Sequence, residues 1–249
     1  MPIESMKAAN QIATGLVVQG FKAPLVLRDF KLIAFDMDST LINIECVDEI
    51  ADIVGRKKEV AAITEAAMRG EIGDYKESLR QRVALLKGAS ETAIERIYQE
   101  RLQLNPGAAE LVAACKKGGL KVLLVSGGFT YFTDRLSARL GIDCTRANVL
   151  EFQNGLLTGR MLDQPWGDIC DGDEKRRMLL ETCALLGISP KQAITVGDGA
   201  NDLPMMREAG LSVAFHAKPA VRQAAHVCID AGGLDRLLML FADCDQSLT

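Results

Sequence analysis

The sequence lacks the run of about 20 apolar residues that a membrane-spanning helix needs, and it lacks an excess of positive charge. Its 29 basic and 33 acidic residues give a net charge of −4, which excludes a protein that binds nucleic acid through bulk charge. Aromatic residues make up only 5% of the chain, with one Trp and three Tyr, so stacking platforms for bases are not expected. These absences favour a protein that acts on a small molecule, without a nucleic-acid or membrane partner.

The spacing of the cysteines and histidines excludes a disulfide framework and a zinc site. The seven cysteines are scattered, odd in number and form no C-x-x-C pair, and both histidines lie late in the chain. We therefore expect the cysteines to be mostly small core residues in a reducing compartment, the cytoplasm. Residues 1–20 carry no basic region followed by an apolar block, so we expect no signal peptide.

What the sequence does have is an alternation of short apolar runs and helical periods. The runs predict buried strands at 31–35, 120–125, 193–196, 211–215 and 226–229. A hairpin is expected around Asn154-Gly155, and a helix at 174–186 is expected to end at Gly187. The expected fold class is therefore α/β, a Rossmann-like three-layer sandwich with a mostly parallel sheet.

Between residues 45 and 104 helical periods follow one another without an intervening strand pattern, which predicts a helical cap. The chain is thereby divided into an N-terminal extension (1–30), a catalytic core (31–44 and 105–249) and the cap (45–104). We expect the extension to pack on the body. Its apolar residues Leu16, Val17 and Val18 are expected to be exposed and to support a homodimer.

Polar residues follow three of the predicted strands, and they include Asp36, Asp38, Ser126, Gly127 and Asp198. Any one strand-terminal Asp is typical of a helix cap. Ligands of open α/β sheets bind at the carboxyl ends of the strands, so the three polar groups are expected to converge. Clustered carboxylates need a compensating cation, and an all-oxygen set of Asp36, Asp38 and Asp198 favours Mg²⁺ over zinc.

The pair of carboxylates indicates phosphoryl chemistry, because residues two apart at a strand end share one face. Asp36 is a candidate nucleophile that would form an aspartyl-phosphate. Asp38 is a candidate general acid for the leaving alkoxide and then a base for water. Ser126 and the Gly127 amide are candidate donors to phosphoryl oxygens, and Lys175 would offset the developing negative charge. Taken alone, Lys175 is more typical of a solvated surface lysine.

In chain order, the segment DMDST at 36–40, Ser126, Lys175 and the segment GDGAND at 197–202 resemble the four motifs of haloacid dehalogenase-type phosphatases. The stretches DMDSTLINIECVDEIAD, SLRQRVALLKG and VGDGANDLPM resemble, within that family, the members that act on O-phospho-L-serine. The resemblance covers residues 31–241. It implies a haloacid dehalogenase-like core with a helical cap. The implied activity is Mg²⁺-dependent hydrolysis of O-phospho-L-serine through an aspartyl-phosphate, as the last step of L-serine synthesis.

The resemblance also implies roles for single residues of the core. Asp36, the backbone carbonyl of Asp38 and Asp198 would be the Mg²⁺ ligands. Asn201 and Asp202 would support the metal and the phosphate.

In the cap, the resemblance implies that Glu45 meets the substrate ammonium and that Arg82 holds its carboxylate, for which the planar guanidinium is well suited. From the residues alone, Glu45 is typical of a helix N-terminus and Arg82 of an exposed surface. Met68 and Tyr75 would line the pocket. Tyr75 stands where the family more often has Phe, and its hydroxyl needs a partner or solvent.

Other classes of function share parts of this pattern. A phosphatase or phosphotransferase for another small phosphate ester would use the same residues, because water and an alcohol attack the same aspartyl-phosphate. A phospho-acceptor signalling domain also uses Asp, Mg²⁺, Ser/Thr and Lys, but the helical insert and Asp38 argue against it. A dinucleotide-binding module needs a Gly-rich loop after its first strand, where this chain has carboxylates.

Overall fold

In this computed structural model, which describes residues 9–69 and 71–244, nine described strands form one sheet. The strands are β1 (Ala9–Ala13), β2 (Leu16–Gln19), β3 (Leu32–Phe35), β4 (Lys121–Phe129), β5 (Cys144–Gln153), β6 (Leu156–Leu162), β7 (Ala193–Gly197), β8 (Leu211–Phe215) and β9 (Val227–Ile229). Their order in the sheet is β1-β2-β9-β8-β7-β3-β4-β5-β6. The strands from β9 to β5 are parallel, and β1, β2 and β6 add antiparallel edges. The predicted, mostly parallel sheet is confirmed.

Helices cover both faces of this sheet. The helices are α1 (Cys46–Ile53), α2 (Lys57–Met68), α3 (Tyr75–Ala84), α4 (Glu91–Arg96), α5 (Ala108–Lys117), α6 (Thr130–Leu140), α7 (Gly172–Leu186), α8 (Leu203–Glu208) and α9 (Pro219–Ala224). Ile33 and Phe35 of β3 pack in one apolar cluster with α5 and α6, whereas Leu32 and Ala34 pack in another with α7, α8 and α9. Alternate residues of a strand point to opposite faces, so the predicted three-layer α/β fold is confirmed.

Local signals in the sequence account for several of these elements. Strand β3 is buried along its whole length, as expected for a central strand of a parallel sheet. The β5–β6 hairpin turns at Asn154 (φ 51°) and Gly155 (φ 75°), the left-handed pair that a two-residue turn requires. Helix α7 ends at Gly187 in the left-handed conformation (φ 65°), a common helix stop. The predicted hairpin and helix end are confirmed.

Four helices, α1 to α4, and the turn Ile97–Arg101 lie between β3 and α5, and no strand lies among them in the part of the chain that the structure describes. Ile42 and Leu104 pair across an isolated bridge, so the chain leaves the sheet region and returns to it at neighbouring points. The division into extension, core and cap stays a prediction. No helix within the described ranges combines the length and the apolar character needed to cross a bilayer.

The N-terminal segment enters the sheet rather than lying on its surface. Strand β2 pairs antiparallel with β9 and brings Leu16 beside Ile229. The expectation of an exposed apolar surface is wrong for Leu16 and Val18, which are 0% and 1% exposed, because both side chains point into the core. Val17 is half-buried. These residues therefore give no support to a dimer, and residues 1–8 lie outside the described part.

Candidate active site

The polar segments after β3 and β7 and the polar C-terminal end of β4 lie together at one edge of the sheet. Phe35, the last residue of β3, pairs with Leu124 of β4 on one side and with Val196 of β7 on the other. The polar residues at these strand ends border a cavity of about 720 Å³, which α1, α2 and α3 cover. The residues singled out in the sequence that line this cavity are Asp36, Asp38, Glu45, Tyr75, Arg82, Ser126, Gly127, Asp198 and Asn201.

Lys175 lies next to the cavity and is fully buried, so its interpretation as a solvated surface lysine is wrong. Its Nζ donates to Asp36 Oδ1 at 2.6 Å and to Asp202 Oδ1 at 2.7 Å. Burial acts to lower the pKa of Lys175, but the two carboxylates outweigh it and hold that pKa well above its ordinary value. Burial also raises the pKa of Asp36 well above its ordinary value, against the effect of Lys175. One lysine therefore leaves part of the negative charge uncompensated.

The carboxylate of Asp38 is held by Cys46, at the first turn of α1. The backbone N–H of Cys46 donates to Oδ2 at 3.2 Å, and its thiol donates to Oδ1 at 3.0 Å. Burial, and secondarily the charge of Glu45, raises the pKa of Asp38 to about 7. A carboxyl group with a pKa near neutrality can both give and take a proton, as a general acid–base must.

Carboxylate oxygens of Asp36, Asp198 and Asp202 lie within 4.8 Å of one another. Both oxygens of Asp202 have protein donors, namely Lys175 and the N–H groups of Asp198 and Gly199. Within the described residues, Oδ2 of Asp36 and Oδ2 of Asp198 have no donor. Burial, then the charge of Asp202, raises the pKa of Asp198 to about 6. An all-oxygen cluster with uncompensated negative charge fits a hard divalent cation.

The end of β4 forms an irregular turn beside these carboxylates, where its pairing with β5 shifts register between Val125 and Phe129. Ser126 is buried, and its Oγ accepts from the N–H of Gly128 at 2.8 Å. Asn148 donates from Nδ2 to the Gly127 carbonyl at 2.8 Å and accepts at Oδ1 from the N–H of Cys170, also at 2.8 Å. The hydroxyl proton of Ser126 has no acceptor among the described residues. It is therefore available to a bound molecule.

Charged residues of the helical segment face the same cavity. Glu45 precedes α1 and accepts from Ser39 Oγ at 2.6 Å. Arg82 of α3 makes one weak hydrogen bond, from Nε to the Ser78 carbonyl at 3.4 Å. Its terminal nitrogens have no hydrogen-bond partner in the described parts of the chain. Met68 ends α2, but its side chain lies outside the described part.

Three further residues of the site had no role assigned from the sequence. Cys46 holds Asp38, Thr40 donates to Asp198 Oδ1 at 3.1 Å, and Lys218 lines the cavity while its N–H donates to the Asp198 carbonyl at 3.1 Å. Thr40 belongs to the segment DMDST, so its place beside a carboxylate could have been inferred. No local signal identifies Cys46 or Lys218.

Comparisons with known proteins agree with this geometry. Residues 30–210 match the model of the haloacid dehalogenase-like hydrolases. A phosphoserine phosphatase of Albidiferax ferrireducens is 80% identical over 92% of this chain and 97% of its own length. One from a Polaromonas species is 75% identical over 93% of this chain and 98% of its own length. A solved structure described as a phospho-aspartyl intermediate analogue of phosphoserine phosphatase superposes with a TM-score of 0.78 at 38% identity, covering 85% of this chain and 99% of its own.

Proposed function

Because this chain belongs to the haloacid dehalogenase-like hydrolase family, we propose that it hydrolyses O-phospho-L-serine to L-serine and phosphate, the last step of L-serine synthesis. The observation that carries the proposal is that Asp36 and Asp38 lie together at the end of β3. Asp36 accepts a hydrogen bond from the buried Lys175, and burial raises the pKa of Asp38 to about 7. The similarity to enzymes named phosphoserine phosphatase supports the choice of substrate.

In the first step, a carboxylate oxygen of Asp36 attacks phosphorus and the ester P–O bond breaks. The serine alkoxide leaves and takes a proton from Asp38, so that Asp36 carries the phosphoryl group and Asp38 is ionised. Cys46 supports this role, because its two hydrogen bonds fix both oxygens of Asp38.

In the second step, Asp38 takes a proton from water, and the resulting hydroxide attacks the phosphorus of the aspartyl-phosphate. Inorganic phosphate leaves, Asp36 regains its carboxylate and Asp38 its proton. The Ser126 hydroxyl and the Gly127 N–H stabilise the phosphoryl oxygens in both steps, and Lys175 offsets the negative charge of the transition state.

Mg²⁺ is the proposed cofactor, with Asp36, the backbone carbonyl of Asp38 and Asp198 as its ligands. When bound, Mg²⁺ supplies the positive charge that keeps Asp36 ionised and neutralises phosphoryl oxygens. Asp202, both of whose oxygens have protein donors, positions Lys175 and the turn of Asp198. Asn201, at the same edge of the cavity, supports the phosphate.

Substrate choice is assigned to the helical segment. Glu45 would pair with the ammonium group of phosphoserine, and the unpartnered terminal nitrogens of Arg82 would hold its carboxylate through two parallel hydrogen bonds. An ester without these charges would leave Glu45 and Arg82 without their substrate partners and would therefore be used less efficiently. Met68 and Tyr75 complete the lining of the pocket.

A reducing cytoplasm is the proposed compartment. All seven cysteines are free thiols, and Cys46, Cys115, Cys170, Cys183 and Cys228 are buried. Free thiols persist where glutathione and thioredoxin keep them reduced.

The test is phosphate release from a panel of small phosphate esters, with Mg²⁺ and with EDTA. We expect O-phospho-L-serine to lead the panel in kcat/KM by orders of magnitude and EDTA to abolish the activity. The variant Asp36→Asn is the matched control, because its amide cannot form the acyl phosphate while its size is unchanged. If another ester leads, the chemistry stands and the assigned substrate is wrong. If Asp36→Asn retains activity near that of the unchanged protein, the nucleophile is wrong.

A further inference from the structure

The hydroxyl of Tyr75 lies beside the turn at the end of β4. Tyr75 is the first residue of α3, and its ring packs against the apolar cluster that continues into the sheet. Its hydroxyl lies against Gly127, since a Cβ added at that glycine would clash with the hydroxyl oxygen. The part of α3 that lies against Gly127 is therefore a polar atom.

This hydroxyl has no hydrogen-bond partner among residues 9–69 and 71–244. It is not one of the fully enclosed, unpartnered side-chain atoms of that part, which are those of Thr133 and Thr195. Because Tyr75 lines the cavity, the hydroxyl opens into it. A polar group that faces a cavity and has no protein partner is available to form a hydrogen bond with a bound molecule.

The charges around Tyr75 indicate what kind of atom it would meet. Burial is the main cause that raises the pKa of Tyr75 above its ordinary value, so the hydroxyl keeps its proton and acts as a donor. Lys175 and then Arg82 are the strongest positive charges acting on it, and Asp36 acts as a weaker negative one. An acceptor at this point is thus an anionic oxygen near the lysine end of the cavity.

We propose that the Tyr75 hydroxyl donates a hydrogen bond to a non-bridging oxygen of the phosphoryl group, as a third donor beside Ser126 and Gly127. This assignment rests on the proposed function, because it takes the turn at Gly127 as the phosphoryl site. It deepens that function in one respect. Ser126 and Gly127 belong to the sheet, whereas Tyr75 belongs to the helical segment, so the phosphoryl group itself would connect α3 to the core.

The position of the Tyr75 hydroxyl indicates that it meets the phosphoryl group of the substrate rather than the carboxylate. The hydroxyl lies against Gly127, and Lys175 acts on it more strongly than Arg82 does. A phenylalanine at this position would fill the same space without the donor. The effect of the hydroxyl should therefore be independent of whether the substrate carries a carboxylate.

The test compares Tyr75→Phe with Tyr98→Phe, which removes the same hydroxyl from a tyrosine that does not line the cavity. Binding of inorganic phosphate is measured by calorimetry with Mg²⁺ present, and kcat/KM is measured for O-phospho-L-serine and for p-nitrophenyl phosphate. We expect Tyr75→Phe to weaken phosphate binding about tenfold, as for loss of a hydrogen bond to a charged group. We expect kcat/KM to fall by a similar factor for both esters, while Tyr98→Phe changes neither quantity.

Two results would overturn the assignment. Unchanged phosphate binding in Tyr75→Phe means that the hydroxyl does not reach the phosphoryl group. A loss confined to phosphoserine means that it meets the carboxylate instead. Because Phe retains the packed ring, equal melting temperatures of the two variants exclude a packing effect. If phosphate binding weakens as expected but phosphoserine is not hydrolysed by the unchanged protein, the proposed substrate fails and the role of Tyr75 stands.

Discussion

Lys175 and Asp36 are 139 residues apart in the chain, yet Nζ of the lysine donates to Oδ1 of the carboxylate across 2.6 Å, where the lysine has no exposure to solvent. Helix α7 provides the lysine, and the end of β3 provides the carboxylate. A buried lysine is tolerated only beside opposite charge. The contact that would activate Asp36 therefore also fixes α7 against the sheet, so stability and chemistry depend on one ion pair.

Replacement of Lys175 by methionine tests this double role. Lys175→Met keeps most of the side-chain volume but leaves two buried carboxylates without their partner. We expect the free energy of unfolding at neutral pH to fall by about 3–5 kcal/mol and phosphatase activity to be lost. Chemical denaturation with urea measures the first effect, and phosphate release measures the second.

The matched control for this variant is Lys117→Met, which removes an exposed lysine from the end of α5. Its free energy of unfolding should stay within about 0.5 kcal/mol of that of the unchanged protein. A Lys175→Met protein as stable as this control would mean that Asp36 and Asp202 do not need the lysine's charge in the folded state.

Much of the fold could be predicted because its signals are local. Apolar runs such as that of β3 mark buried strands wherever they pair, and Gly187 stops α7 by its own conformational freedom. The β1–β2 hairpin could not be predicted in the same way. Strand β2 is only four residues long, and what buries Leu16 and Val18 is its pairing with β9, more than 200 residues later in the chain. That pairing is tertiary, and no local pattern encodes it.

The same difference applies to the site: some of its residues could be placed from local sequence signals, and others depend on how the chain folds. Asp36, Ser126 and Asp198 could be brought together from sequence because each follows a predicted parallel strand, and such ends meet at one edge. The hydrogen bonds from Cys46 to Asp38 depend on how the chain turns through Ser39 (φ 57°) into α1. A left-handed turn at a serine is not specified by the residues around it, so the sequence alone could not identify this contact.

The raised pKa values of the clustered carboxyls predict how the metal-free protein responds to pH. Burial raises the pKa of Asp38 to about 7 and that of Asp198 to about 6, from an ordinary value of 3.8. The folded state therefore binds more protons than the unfolded state between about pH 4 and pH 7, so its stability falls as the pH rises through that window. We expect the melting temperature in EDTA to decrease from about pH 5 to pH 7.

Saturating Mg²⁺ is the internal control for that experiment. A bound cation favours the ionised carboxylates and should remove most of the slope. Carboxyls whose pKa is lowered, such as Asp143 and Asp168, lose their contribution only below their ordinary pKa and do not oppose the trend. A melting temperature in EDTA that is flat or rises over the window would show that the cluster carries no excess negative charge.

The unpartnered nitrogens of Arg82 predict a substrate-dependent loss. Arg82→Ala should lower kcat/KM for O-phospho-L-serine by about a hundredfold, because the substrate carboxylate loses a charged, two-bond partner. The same variant should change kcat/KM for p-nitrophenyl phosphate by no more than about threefold, since that ester has no carboxylate. Arg96→Ala, which removes an exposed arginine outside the cavity, is the control. Equal losses on both esters would rule out a carboxylate-binding role.

Acidic residues of the segment before α7 hold helix α3, chiefly Asp168, while Asp171 lies 3.7 Å from Lys76 Nζ. Asp168 accepts from Lys76 Nζ at 2.7 Å and from Arg80 Nη2 at 2.5 Å. Helix α3 also carries Tyr75 and Arg82, and the segment of Asp168 leads directly into the helix of the buried lysine. These ion pairs therefore help to hold the groups assigned to the substrate beside those assigned to the phosphoryl chemistry.

Asp168→Asn should consequently raise KM for the phosphate ester by about two- to fivefold with little change in kcat, because partly exposed ion pairs contribute about 0–1 kcal/mol each. Salt screens such pairs, so the KM of the unchanged protein should rise with ionic strength more steeply than that of the variant. Asp163→Asn removes the same charge from the same segment, at a residue with no ion pair among the described residues, and should behave like the unchanged protein. An unchanged KM in Asp168→Asn, or an unaltered salt dependence, would mean that α3 keeps its place without these ion pairs.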